Sequence, residues 1–85
     1  MGEVSSKKQI VVSPHLGKYL VYVEGTKAAQ NDTLTVSELS TVDVAFLYVG
    51  TTVETYTIGT GSNANKITLT STTTGTVKGI VLGSK

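Results

Sequence analysis

Hydrophobic and polar residues alternate along much of this chain with the two-residue period of an extended strand. In several places apolar residues fill both halves of that period. The longest such stretch is Val42-Asp43-Val44-Ala45-Phe46-Leu47-Tyr48-Val49, closed by Gly50-Thr51-Thr52, and it contains the only Phe. Extended, it carries Val42, Val44, Phe46 and Tyr48 on one face and Asp43, Ala45, Leu47 and Val49 on the other. Apart from Asp43 neither face is polar. The strand therefore needs cover on both sides and is expected in the middle of a small antiparallel fold. Residues 18–24 repeat the pattern, with Tyr19, Val21 and Val23 opposed to Leu20 and Tyr22.

Shorter alternating runs complete the set. Gln9-Ile10-Val11-Val12 is expected as a strand ended by Ser13-Pro14, because proline cannot donate to a ladder. A turn at His15-Leu16-Gly17 and a polar loop over residues 25–32 follow. Leu34 and Val36 face inward, as do Ile67 and Leu69. Ser37-Glu38-Leu39 is expected to form one helical turn, with Leu39 tucked under the sheet. Residues 53–58 should run back antiparallel from the Gly50 turn, and residues 59–65, rich in Gly, Ser and Asn, form the clearest loop. Thr76-Val77-Lys78-Gly79-Ile80-Val81-Leu82 closes the fold, with Gly79 marking a bulge or a close backbone approach. The pattern predicts an all-β fold, a small antiparallel sandwich or barrel of about seven short strands. Residues 1–8 are expected as a disordered N-terminus and residues 9–85 as a single β-domain.

Composition supports this reading. Thr (15 copies) and Val (12) lead among the 85 residues, and both are stiff, β-branched strand formers. A chain of this length buries only about 60–65% of its unfolded surface. With no Cys it has neither a disulfide nor a thiolate metal site to help. Its mean hydropathy of +0.12 is high for so small a domain, and association with further copies is one remedy for a thin core. Net charge is +1 and every cation is Lys. Without Arg or a basic stripe, nucleic acid is not expected as a partner. No apolar segment suggests export or membrane insertion, so the expected location is a virion or the cytoplasm of the producing cell.

Candidate chemistry is sparse. His15 is the only His, so any nucleophile–base pair would depend on it; the expected role is an exposed turn residue. The six acids, Glu3, Glu24, Asp32, Glu38, Asp43 and Glu54, are spread singly. Asp43 and Glu54 are expected as rim charges or partners of Lys18, Lys66 or Lys78. Gly59-Thr60-Gly61 lacks the third glycine and the helix of a phosphate site. The pairs Thr33/Thr35, Thr55/Thr57 and Thr68/Thr70 could present hydroxyls to ice or carbohydrate. With no fixed repeat to align them, they read as the solvent face of half-buried strands. Tyr19, Tyr22, Tyr48 and Tyr56 suit core and interface packing. No catalytic residue, cofactor, metal or small-molecule substrate is expected.

The second half resembles a class of known proteins. An apolar strand ends in Tyr48-Val49-Gly50, and Glu54-Thr55-Tyr56-Thr57-Ile58 follows. A Gly/Ser/Asn loop leads to Lys66-Ile67-Thr68-Leu69-Thr70, and a Thr-Gly-Thr-Val segment runs into Gly79-Ile80-Val81-Leu82-Gly83. Over about forty residues this is similar to small all-β virion proteins of tailed phages and archaeal viruses: capsid-decorating, cementing or head–tail accessory subunits. The resemblance implies a non-enzymatic, multimeric structural protein. The expectation is a self-associating viral or provirus-derived particle component, with Leu47, Val49, Ile80 and Leu82 facing outward onto a partner subunit. The alternative is a small β-barrel binding nucleic acid, or a peptide by edge-strand addition.

Overall fold

The computed structural model describes residues 2–15 and 18–85, with the side chains of residues 6–8 and 12–15 left aside. Eight strands, β1 (Ser5–His15), β2 (Lys18–Lys27), β3 (Asp32–Thr35), β4 (Thr41–Val49), β5 (Thr52–Val53), β6 (Tyr56–Ile58), β7 (Lys66–Leu69) and β8 (Gly75–Ser84), are joined by short turns and one 3-10 turn at Gly61–Asn63. They form two antiparallel sheets, of order β1-β2-β8-β4-β5 and β3-β7-β6. The fold is an all-β sandwich. The strand expected in the middle, β4, lies next to the edge, and β8 takes the centre. Hydropathy reports how a strand is covered but not which strands flank it.

The sheets meet over Val21 and Val23 of β2, Ala45, Leu47 and Val49 of β4, Val77 and Val81 of β8, and Leu34, Ile67 and Leu69 of the smaller sheet. Leu34, Val36, Ile67 and Leu69 are buried, as their alternation requires. Leu39 is buried beneath a hydrogen-bonded turn, its N–H donating to the Val36 carbonyl at 3.0 Å, in place of the expected helical turn. Two glycines of β8 let the neighbouring β4 backbone come close. A Cβ on Gly79 would fall on the Phe46 carbonyl oxygen, and one on Gly83 on that of Thr41. Gly79 thus marks a close backbone approach.

One β4 residue breaks the alternation. Val42 pairs with Gly83 and Val44 with Leu82, so Asp43 is an extra residue bulged out of the ladder. Val42 is consequently buried with Ala45, Leu47 and Val49, whereas strict alternation groups it with Val44, Phe46 and Tyr48. The Ala45 N–H beyond the bulge donates to the Tyr56 hydroxyl of the facing sheet at 3.0 Å.

The chain changes sheets at both sides of the sandwich. Glu54 N–H still donates to the Leu47 carbonyl of the larger sheet, while the Thr55 carbonyl already accepts from Thr70 N–H of the smaller one, each at 2.9 Å. The single strand expected over residues 53–58 is therefore two, β5 and β6, one in each sheet. At the other side, the Val4 N–H donates to the Thr33 carbonyl, and the Thr33 N–H to the Gly2 carbonyl, both at 2.8 Å. Ser5 then pairs with Thr26 of β2. Residues 2–8 are therefore part of the fold and not a frayed arm; Val4, 1% exposed, belongs to the core. β1 also runs through Ser13 and Pro14, past an irregularity between Val11 and Ser13. It is an edge strand, where a missing N–H is tolerated. Leu16 and Gly17 of the expected turn lie outside the described residues.

Candidate interaction surface

Residues alternate with their buried neighbours to form the outward face of the larger sheet, and ladder register arranges them in rows. Leu20, Leu82 and Val44 stand abreast on β2, β8 and β4; the next row is Ile10, Tyr22, Ile80 and Phe46 across β1, β2, β8 and β4. A third row carries Glu24, Lys78, Tyr48 and Val53. Ile10, Phe46, Tyr48 and Val53 are exposed, with Phe46 at 61%. The only Phe of the chain is thus withheld from the core, although aromatic side chains contribute most to core packing. An apolar band of this kind marks an interaction site more often than an accident of composition.

Polar pairs border the band at both ends. Lys18 Nζ donates to Asp43 Oδ2 at 2.7 Å and to Ser84 Oγ at 3.0 Å. Beyond the other end, Lys78 Nζ lies 3.9 Å from Glu24 Oε2, and the Tyr22 hydroxyl donates to the same carboxylate oxygen at 3.3 Å. Burial, reinforced by the Glu24 charge and hydrogen bond, raises the Tyr22 phenol above its ordinary value. An apolar centre with a polar rim is the anatomy of a protein–protein contact.

The structure divides the four residues expected to face a partner. Ile80 and Leu82 lie on the outward face and are partly covered by their neighbours. Leu47 and Val49, each 1% exposed, point into the sandwich and cannot touch another subunit. Alternation defines two sets on β4 without saying which is inside; the outward set is Val44, Phe46 and Tyr48. The second sheet decides it: Ala45, Leu47 and Val49 share one core with Leu34, Ile67 and Leu69.

The outward face of the smaller sheet is unlike this. Thr33, Thr68 and Thr57 stand on one rung across β3, β7 and β6. The Thr55 and Thr70 hydroxyls share a hydrogen bond of 2.7 Å, and Thr33 and Thr35 donate theirs to Glu3 Oε1 at 2.9 and 3.0 Å.

A polar cluster missing from the sequence reading sits inside one end of the sandwich. Lys27, expected in a loop, ends β2 with its side chain fully buried. Its Nζ donates to Glu54 Oε1 at 2.8 Å, to the Ser71 carbonyl at 2.6 Å and to Ser71 Oγ at 3.0 Å. Glu54 Oε2 accepts from Ser71 N–H at 2.8 Å, and Oε1 from the Ser71 hydroxyl at 2.9 Å. Burial pushes the Glu54 carboxyl up, but the Lys27 and Ser71 hydrogen bonds and the Lys27 charge prevail and hold it below its ordinary value. Ser71 and Lys27 stand at the distance of a nucleophile and its base. All three amine hydrogens are committed, however, and neither side chain of the ion pair is accessible to a substrate. The cluster pins the sheet crossing after β5.

Asp32 does the same for the other crossing. Its carboxylate accepts from Gly2, Ala28 and Ala29 N–H at 2.9, 2.8 and 3.1 Å. The bonds from Gly2 and Ala28 hold it below the ordinary carboxylate value against the effect of burial, with Ala29 adding to them. Of the acids expected on the rim, Asp43 pairs with Lys18 as anticipated, whereas Glu54 is internal. Among the described residues no group of three or more His, Cys, Asp or Glu could hold a metal ion, and no helix is long and apolar enough to cross a membrane. The His15 side chain lies outside the described residues. No family model, curated protein or solved structure matches this chain.

Proposed function

We propose that this is a non-enzymatic structural protein that self-associates through the outward face of its larger sheet, as a component of a viral or provirus-derived particle. The observation that carries the reading is the apolar band with Phe46 and Ile80 at its centre, turned to solvent in a single copy. Covering it recovers about 25 cal/mol for each Å² of apolar surface removed from water. The particle assignment rests on the resemblance of residues 48–83 to small virion subunits. It places the protein in the virion or in the cytoplasm of the producing cell.

Light scattering across a concentration series tests the reading. The protein should move from monomer to dimer or a larger closed assembly as concentration rises. A strict monomer at millimolar concentration contradicts self-association. It would favour the second reading, peptide capture along the free edge of the 11-residue strand β1.

A further inference from the structure

We infer that the partner on the apolar face is a second copy of this chain, packed face to face about a two-fold axis that lies between the sheets and runs across the strands. The inference rests on the self-association proposed above and specifies its geometry.

The argument comes from the order of the rows. Along β2 the outward residues are Lys18, Leu20, Tyr22 and Glu24, and the β8 residues beside them are Ser84, Leu82, Ile80 and Lys78. A two-fold axis across the strands at the level of Val21 and Val81 reverses this order in the second copy. Leu20 then meets Tyr22 of the other copy, and Leu82 meets Ile80. Val44 and Phe46 of β4, which are abreast of Leu82 and Ile80, pair in the same way. On β2 and β4 a larger side chain opposes a smaller one, Tyr22 against Leu20 and Phe46 against Val44, which suits interdigitation.

The rims make the same choice. Reversal lays Glu24 over Lys18 of the other copy in the same column, and Lys78 over the Ser84–Asp43 corner. The Glu24–Lys18 contact, made twice by the symmetry, brings opposite charges together in one column. An axis parallel to the strands instead preserves the rows. Above β8 it lays Ile80 over Ile80 and Lys78 over Lys78, setting like charges against each other.

Size is compatible with a dimer. The band runs over about six residues of strand at roughly 3.4 Å each and across four to five strands at about 4.8 Å, or on the order of 400 Å² in projection. With side-chain relief this reaches the small end of specific interfaces, so dissociation in the micromolar range is expected.

Cross-linking tests the geometry, and the absence of native Cys leaves engineered thiols unambiguous. Ser84→Cys and Lys78→Cys variants are treated with a bismaleimide of about 10 Å reach, the spacing of packed sheets. Row reversal predicts a cross-linked dimer when the two variants are mixed and little from either alone, because Ser84 and its counterpart then lie about 20 Å apart along the strands. As an independent readout, Lys18→Glu or Glu24→Lys should each weaken the dimer about tenfold at low salt, and the double variant should restore it. Dimers that cross-link Ser84→Cys to itself, or that ignore both charge reversals, overturn the axis and leave self-association standing. A chain that stays monomeric in every variant overturns both.

Discussion

Phe46 and Thr68 each point away from the core, one from the larger sheet and one from the smaller, and their surroundings differ in kind. Around Phe46 stand Val44, Ile80, Leu82 and Tyr22; around Thr68 stand Thr33, Thr57 and Thr70. Both faces are built from strand-forming residues, and both cover one core. Threonine keeps a β-branched shape while giving water a hydroxyl, so its face can remain wet at little cost. Isoleucine, leucine and phenylalanine give water nothing. The molecule is therefore sided, with one outward surface of hydroxyls and one of apolar side chains.

The strongest way to break this comparison is to damage the interior on which both faces rest. Glu54→Gln leaves Lys27 charged and buried without its counter-ion, and should lower folding stability by about 3–5 kcal/mol, read from the urea midpoint. Both faces should be lost in one cooperative transition. A variant that unfolds like the parent would show that the Lys27–Glu54–Ser71 cluster does not hold the sheets together.

Next in size is a contrast between consecutive residues. Leu47→Ala removes a core side chain and should cost about 2–5 kcal/mol of folding stability. Phe46→Ala, one residue along and on the opposite side, should change monomer stability by less than about 1 kcal/mol while weakening association at least tenfold. Chemical denaturation and sedimentation, run on both variants, separate the two effects. A reversed pattern would mean that the sides of β4 are misassigned.

Acid should act through the carboxylates. Glu54 and Asp32 are both held below their ordinary values in the fold. The stability they contribute is thus complete above their unfolded pKa, about 4, and is lost as pH falls through the folded values. The urea midpoint should decline below about pH 5, and Glu54→Gln should flatten that decline. An unchanged slope would remove Glu54 from the account.

The smallest effect belongs to the wet face. Thr68→Val should alter folding by no more than about 0.5 kcal/mol and leave association unchanged.

Much of this architecture can be read from alternation alone. Leu34, Val36, Ile67 and Leu69 declare their side because polar residues fill the other half of each strand. Gly79 announces a bulge or a close backbone approach, and the Phe46 carbonyl beside it decides for the second. Phe46 and Leu47 are different: both faces of β4 are apolar, and only the packing of a second sheet makes one of them internal. The Asp43 bulge, which exchanges the side of Val42, leaves no mark on the hydropathy pattern. Lys27 reads as loop because lysine at a strand end is ordinarily solvated. Its partner Glu54 is 27 residues away and Ser71 is 44, separations that local patterning does not span. The outward apolar face is half legible: Ile80 and Leu82 lie on it as expected, and Leu47 and Val49 stand in for Phe46 and Tyr48.

The most direct test of sidedness is sedimentation equilibrium on two charge insertions, Phe46→Glu and Thr68→Glu, beside the parent chain. The account predicts a concentration-dependent dimer or larger assembly for the parent and for Thr68→Glu, and a folded monomer for Phe46→Glu, with affinity lost by at least about a hundredfold. Assembly that survives Phe46→Glu, or that Thr68→Glu abolishes, would contradict it.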